Sequence, residues 1–319
     1  MLLDTLIIVL GFIGLIWGAD KLVFGSSVLA RHLGVSPLMI GLTIVAFGTS
    51  APEIFSSAVS ALNDKPDLAI GNALGSNLFN IGFALGIAAF IRPLKPPASL
   101  INKELPALLL VTLATGALLL DLFLGLYDAV ILILITSYLG YRLLRKKVKT
   151  GDLPEIDENE LSRVSGWQAA AYLILGLALL ILSAEALVAA ATSIAETLGV
   201  STAIIGLTIV ALGTSLPELA ASITCVLKGH HDLAIGNIVG SNILNLLVAL
   251  PFPGLFSPDT VEPALFYRDY FSVLIMTIVL AFFCYRAIKR EKMLGRISGI
   301  VFMSMYCGWF ALMVAEIHN

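Results

Sequence analysis

Charge is scarce in this 319-residue chain: 13% of residues are charged and 58% are hydrophobic. A soluble globular domain carries about a quarter charged residues, so that class is excluded and an integral membrane protein remains. Segments of about ten residues alternating apolar and polar, the mark of a transmembrane β-barrel, are absent. Only three cysteines occur, Cys225, Cys284 and Cys307, all in or beside apolar runs. Their odd number at that depth argues against a disulfide framework or a thiolate metal site. The net charge of −3 leaves no basic surface on the scale of a nucleic acid. The amino terminus is apolar from Leu2, with Asp4 and no basic stretch, so a cleaved signal peptide is not expected.

Long apolar runs fill the space that charge leaves. Ten can be read, near 3–30, 38–62, 68–91, 104–121, 126–143, 167–192, 203–227, 232–250, 268–286 and 297–315. Each is long enough to cross a hydrocarbon core of about 30 Å as a helix. The fold expected is an all-α polytopic membrane protein of ten transmembrane helices. Basic residues confirm the alternation of the loops. Of the 19 lysines and arginines, all but Lys21, Lys65 and Arg268 fall in loops after odd-numbered helices. The positive-inside bias puts those loops in the cytoplasm and both termini outside.

The chain also contains one stretch twice, 165 positions apart with no gap. Gly34-Val35-Ser36 returns as Gly199-Val200-Ser201. Gly48-Thr49-Ser50-Ala51-Pro52-Glu53 returns as Gly213-Thr214-Ser215-Leu216-Pro217-Glu218. Asp67 to Asn72, Gly75-Ser76-Asn77 and Asn80 return as Asp232 to Asn237, Gly240-Ser241-Asn242 and Asn245. A charged stretch, 146–166, separates the copies and reads as a solvated cytoplasmic linker. The division expected is a five-helix repeat over 1–145, the linker, and a second over 167–319. Five crossings per half force the second half to enter from the opposite side, the inverted-topology repeat of many secondary transporters.

What recurs is polar. Thr49 and Glu53 share a helix face, as do Thr214 and Glu218. Pro52 and Pro217 should break their helices and free carbonyls at Gly48–Thr49 and Gly213–Thr214. Ser76 and Asn80, like Ser241 and Asn245, lie four apart, with Asn72 and Asn237 a turn earlier. Hydroxyls, carbonyls and carboxylates make an all-oxygen set suited to hard cations such as Na⁺ and Ca²⁺, and the lack of Cys and His argues against Zn²⁺ or Cu⁺. Two carboxylates about 5 Å apart repel by roughly 3 kcal/mol at an effective dielectric near 20. One Ca²⁺ cancels them, as do two Na⁺ or two protons, which is a mechanism for exchange. Asp67 and Asp232 read as helix caps, Asn77 and Asn242 as interhelical donors, and Asp269 and Glu316 as solvated residues near helix ends.

These paired motifs closely resemble the α-repeats of the cation/calcium antiporter superfamily, and the length resembles its small bacterial inner-membrane sodium/calcium exchangers. The resemblance implies exchange of Ca²⁺ for Na⁺ by alternating access, with no enzymatic activity and no cofactor beyond the transported ions. It implies that Glu53 and Glu218 hold Ca²⁺ with carbonyls of Thr49 and Thr214. One Na⁺ site would use Ala46, Thr49, Ser50, Glu53 and Ser76, and its mate Ala211, Thr214, Ser215, Glu218 and Ser241. It further implies that helices 1 and 6 slide past the ion-binding core. Microbial relatives carry Asp where this chain has Asn245, opposite Asn80, so the central site here has two carboxylates and two amides. H⁺/Ca²⁺ exchange or a K⁺-dependent variant are the alternatives on this scaffold, and a passive cation channel is a more distant one. The expected partners are these ions and the bilayer.

Overall fold

A computed structural model describes residues 1–144, 164–198, 209 and 211–317. The linker up to residue 163, the Gly199-Val200-Ser201 copy and the start of the seventh apolar segment lie outside these. The described residues are almost wholly helical. In chain order the helices are α1 (Leu2–His32), α2 (Pro37–Thr49), α3 (Ala51–Leu62), α4 (Pro66–Ile91), α5 (Ser99–Leu118), α6 (Leu126–Leu144), α7 (Gly166–Thr197), α8 (Leu216–Leu227), α9 (His231–Phe256), α10 (Leu265–Lys289) and α11 (Arg296–Ile317). A two-residue pair, β1 (Phe123–Leu124) with antiparallel β2 (Asp259–Thr260), is the one named sheet among them.

Seven helices are long and apolar enough to cross a membrane, and eight if the bent pair α2–α3 counts as one span. Large apolar side chains are exposed along them, Leu6, Ile13, Ile16 and Trp17 on α1 among them. Such a surface is stable only against lipid, and the protein is an integral membrane protein.

The repeat seen in the sequence returns in the elements. Both α3 and α8 are 12 residues long, and Ala51 and Leu216, where they start, are 165 apart. Their ends repeat as well. After α3 the chain turns through Asp64 at φ 55°, and after α8 through Gly229 at φ 81°. The next amides bond back to Ser60 O at 2.9 Å and Cys225 O at 2.8 Å, a Schellman closure in both copies. Helix starts follow local rules: Ser36 caps α2 ahead of Pro37, and Ser165 with Gln168 forms a capping box on α7.

Spatially the chain forms two compact units, Met1–Pro52 with Val148–Asn237, and Glu53–Lys147 with Ile238–Asn319. Each unit draws on both sequence repeats, so repeat and compact unit are different divisions of one chain. In the first unit, α1 packs along α7 at glycine-limited distance. A Cβ on Gly25 would stand 2.5 Å from Leu173 N, and one on Gly176 would stand 2.4 Å from Leu22 N. Small residues let helices approach this closely in lipid, where dispersion contacts replace the hydrophobic effect. In the second unit α11 crosses α4 in the same manner, at Gly86 and Gly299.

Three acidic residues depart from expectation. Asp232 does not cap α9, which starts at His231 and holds Asp232 within its first turn. Asp67 does not cap α4: Lys65 stands at the cap, Pro66 takes the first turn, and Asp67 accepts the Glu262 amide at 3.2 Å. Asp269 is not solvated. It is buried, pairs with Arg268 through both oxygens at 2.7 and 2.8 Å, and accepts the Trp309 indole N–H at 2.6 Å. Arg268 also donates to the exposed Glu316 at 2.5 Å, tying α10 to α11.

Candidate cation site

Each Gly-Thr-Ser-x-Pro-Glu motif breaks its helix at the serine, Ser50 between α2 and α3, and Ser215 between a four-residue helical piece, Ala211–Thr214, and α8. Ser50 has φ −83° and ψ 3°, and Ser215 has φ −92° and ψ 7°. These values lie between the helical and extended regions, where active-site residues are over-represented. The two pieces at Ser50 are bent by 46°. Proline explains the position. Pro52 and Pro217 sit second in α3 and α8, where a missing amide hydrogen costs nothing because first-turn amides have no helical partner. The break thus falls one or two residues beyond the expected carbonyls. It also makes Glu53 and Glu218 first-turn residues, where the helix dipole favours a carboxylate by about 0.3–1 kcal/mol.

Ser-x-x-Glu at a helix start is a capping-box pattern, yet Ser215 makes no side-chain cap bond. The serine of the other repeat pairs with a residue far away in the sequence. In the first unit, Ser50 Oγ donates to Glu218 Oε1 at 2.9 Å, joining residues 168 positions apart. Beside it, Thr49 Oγ1 donates to Asn237 Oδ1 at 3.1 Å, with Ala46 O a longer 3.5 Å away. Ala46, Thr49, Ser50, Ser215 and Glu218 are buried and Thr214 is half-buried. The side chain of Ala211 lies outside the described residues.

The second unit holds Glu53, also fully buried. Asn72 Nδ2 donates to Glu53 O and to Ser57 Oγ, both at 2.9 Å, fixing the turn that carries the carboxylate. Ser76, Ser241, Asn80 and Asn245 are buried in this unit. The helices loosen at both amides. A π-helical stretch runs over Phe79–Leu85, around Asn80, and another over Asn245–Ala249. Such wider turns are frequent at functional sites.

A relay orients one of these amides. Asn77 Nδ2 donates to Asn242 O at 3.2 Å, and Asn245 Nδ2 donates to Asn77 Oδ1 at 3.1 Å. Asn77 is an interhelical donor, as its position suggested; Asn242 is not, its amide nitrogen being buried with no partner among the described residues. The Oδ1 atoms of Asn80, Asn242 and Asn245 are buried with no partner among the described residues. Each orphan buried acceptor costs about 1–3 kcal/mol. A hard cation is the chemistry that satisfies amide oxygens of this kind. Sequence reasoning missed the Ser50–Glu218 bond and the Asn77 relay. The recurrence of Ser and Asn was the available signal, but nothing local fixes their partners.

Helical spans, a structural repeat and two fully buried glutamates among hydroxyl and amide oxygens define a membrane transporter. The chain belongs to the family described as sodium/calcium exchanger protein, which matches residues 3–146 and 168–315. Among its relatives, CaxA of Alkalimonas amylolytica is 40% identical over 99% of this chain and 100% of its own length. The inner membrane protein YrbG of Escherichia coli is 38% identical over 98% of this chain and 97% of that protein. A solved structure of the sodium–calcium exchanger NCX_Mj, soaked with Na⁺ and Sr²⁺, superposes with a TM-score of 0.84 at 32% identity. That likeness covers 97% of this chain and 98% of the other.

Proposed function

We propose that this protein is a secondary active transporter that exchanges Ca²⁺ for Na⁺ by alternating access. The observation that carries the reading is the complete burial of two glutamates, Glu53 and Glu218, at repeat-related helix breaks. An ionised carboxylate at membrane depth costs several kcal/mol unless a countercharge joins it. One Ca²⁺ neutralises both, and so do two Na⁺, so the ions compete for the same pair of charges and one displaces the other. Family membership and the likeness to NCX_Mj support Na⁺ and Ca²⁺ as the competing ions.

In this reading the ten apolar segments are ten spans in two inverted five-helix repeats, 1–145 and 167–319, joined by the linker 146–166. Seven long helices and the bent pair α2–α3 make eight candidate spans; in this reading α6, a helix of 19 residues, and the apolar α8 complete the ten. Thr49, Ser50, Ala46 and Ser76 serve Glu53, and Thr214, Ser215, Ala211 and Ser241 serve Glu218, with Asn80 and Asn245 as neutral ligands. The bond from Ser50 to Glu218 gives this division a cross-link: the serine of one motif prepares the carboxylate of the other. Both termini face outward, and the membrane is the inner membrane of a bacterium, supported by the basic loops and by the relative YrbG.

The test is flux in proteoliposomes. Calcium uptake driven by a Na⁺ gradient is expected, with none driven by a pH or K⁺ gradient alone. Uptake that needs no Na⁺ gradient would overturn the assignment of the coupling ion.

A further inference from the structure

The two repeats carry the same residues in different hydrogen-bond settings. In the first, Asn72 Nδ2 clasps its own repeat: it reaches Glu53 O and Ser57 Oγ, and Ser57 Oγ donates onward to Ala69 O at 3.3 Å. The mates 165 positions on are Glu218, Ser222, Ala234 and Asn237, identical in type. Yet Asn237 offers its oxygen to Thr49. Its Nδ2 and the Ser222 hydroxyl are both fully buried, with no partner among the described residues.

The hydrogen-bonding residues themselves do not differ: Glu, Ser and Asn recur at the same spacing, and so does the Asp-Leu-Ala-Ile-Gly-Asn run that carries each asparagine. One constellation therefore has two settings. Two unpaired buried polar atoms in the same repeat are costly, and the bond that would satisfy both is the one Asn72 already makes in its own copy. Alternating access in a transporter of two inverted repeats moves one repeat or bundle against the other around the site, and such a movement shifts the helix contacts that hold each asparagine in its setting.

We propose that Asn72 and Asn237 are the switch residues of the exchange cycle. Each clasps the carbonyl of its own motif glutamate and the serine four residues on in one state, and releases them in the other. The first repeat is clasped in this structure and the second released. In the opposite state Asn237 holds Glu218 O and Ser222 Oγ, and Asn72 lets go. The asparagines act as positioning residues, since the clasp fixes the turn bearing the carboxylate. The inference rests on the exchange reading for what the switch accomplishes, and on the hydrogen bonds alone for its existence.

The test uses Ser57→Ala and Ser222→Ala in the full chain, neither residue being among the proposed ligands. Ser57→Ala removes an acceptor used in this state, and Ser222→Ala removes one used only in the other. Half-saturating Ca²⁺ is measured at each membrane face in proteoliposomes. The ratio of the two values is expected to move in opposite directions in the two variants, by about two- to tenfold, the worth of one hydrogen bond. Movement in the same direction, or none, overturns the proposal.

A second readout needs no transport. Amide hydrogen exchange of the ion-free chain in lipid nanodiscs is expected to show Ser57→Ala lowering protection over 53–72 while raising it over 218–237. A purely structural serine would loosen only its own surroundings, and that result contradicts the switch. Absence of Na⁺-driven Ca²⁺ flux in the unaltered protein would retire the exchange reading instead, leaving the hydrogen-exchange result to decide the switch.

Discussion

Glu53 and Glu218 have the same motif neighbours, the same place in a helix first turn and the same complete burial. In the proposed exchange it is their charge that a cation binds, while their shape is shared by glutamine. Glu53→Gln and Glu218→Gln are therefore each expected to abolish exchange while the purified protein stays monodisperse and helical, measured by flux, gel filtration and circular dichroism. Ser50→Ala is a milder probe. It removes a hydrogen bond to a charged group, worth about 1.5–3 kcal/mol, and is expected to lower the melting temperature of the ion-free protein by several degrees in a thermal scan. The identity of these residues was legible in the sequence, because polar atoms recur in apolar runs where packing alone needs none. Their partners were not. Ser50 and Glu218 are 168 positions apart, and Asn77 serves Asn245 through a bond that only the packed helices define.

At the scale of the helix, the proline rule located the breaks to within two residues, and the structure moved them onto Ser50 and Ser215. Propensity also explains what was misjudged. Proline at the first position of α4 outranked Asp67 as a start signal, so the cap fell on Lys65. Asp269 stood at the edge of an apolar run, but α10 begins earlier, at Leu265, and carries it inward onto Arg268 and Trp309. Removing one partner of a buried ion pair costs about 3–5 kcal/mol, so Asp269→Asn should lower the melting temperature markedly in a thermal scan. Glycines give a second contrast. Gly176→Leu forces a side chain into the α1 backbone and should lower the yield of folded protein and stop transport. Gly75, with nothing within 4 Å of an added Cβ, should accept alanine with stability nearly unchanged.

For the whole molecule, the sequence showed a repeat of 165 positions, and the helices reproduce that offset at the boundaries of α3 and α8. The two compact units were not legible. They interleave the repeats, and proximity between distant segments has no trace in a hydropathy pattern. Basic residues remain the guide to orientation. In a chain with its three cysteines replaced, Cys introduced at Lys65 should react with an impermeant thiol reagent from outside, and Cys at Glu291 only after permeabilisation. Labelling of both from one side would remove the inverted topology. The central claim is that one pair of carboxylates serves both ions, and equilibrium binding of ⁴⁵Ca²⁺ to the purified protein tests it most directly. The account expects Na⁺ to displace Ca²⁺ competitively, and either Glu53→Gln or Glu218→Gln to remove binding altogether. Half the binding surviving in each single variant, or Ca²⁺ held regardless of Na⁺, would contradict it.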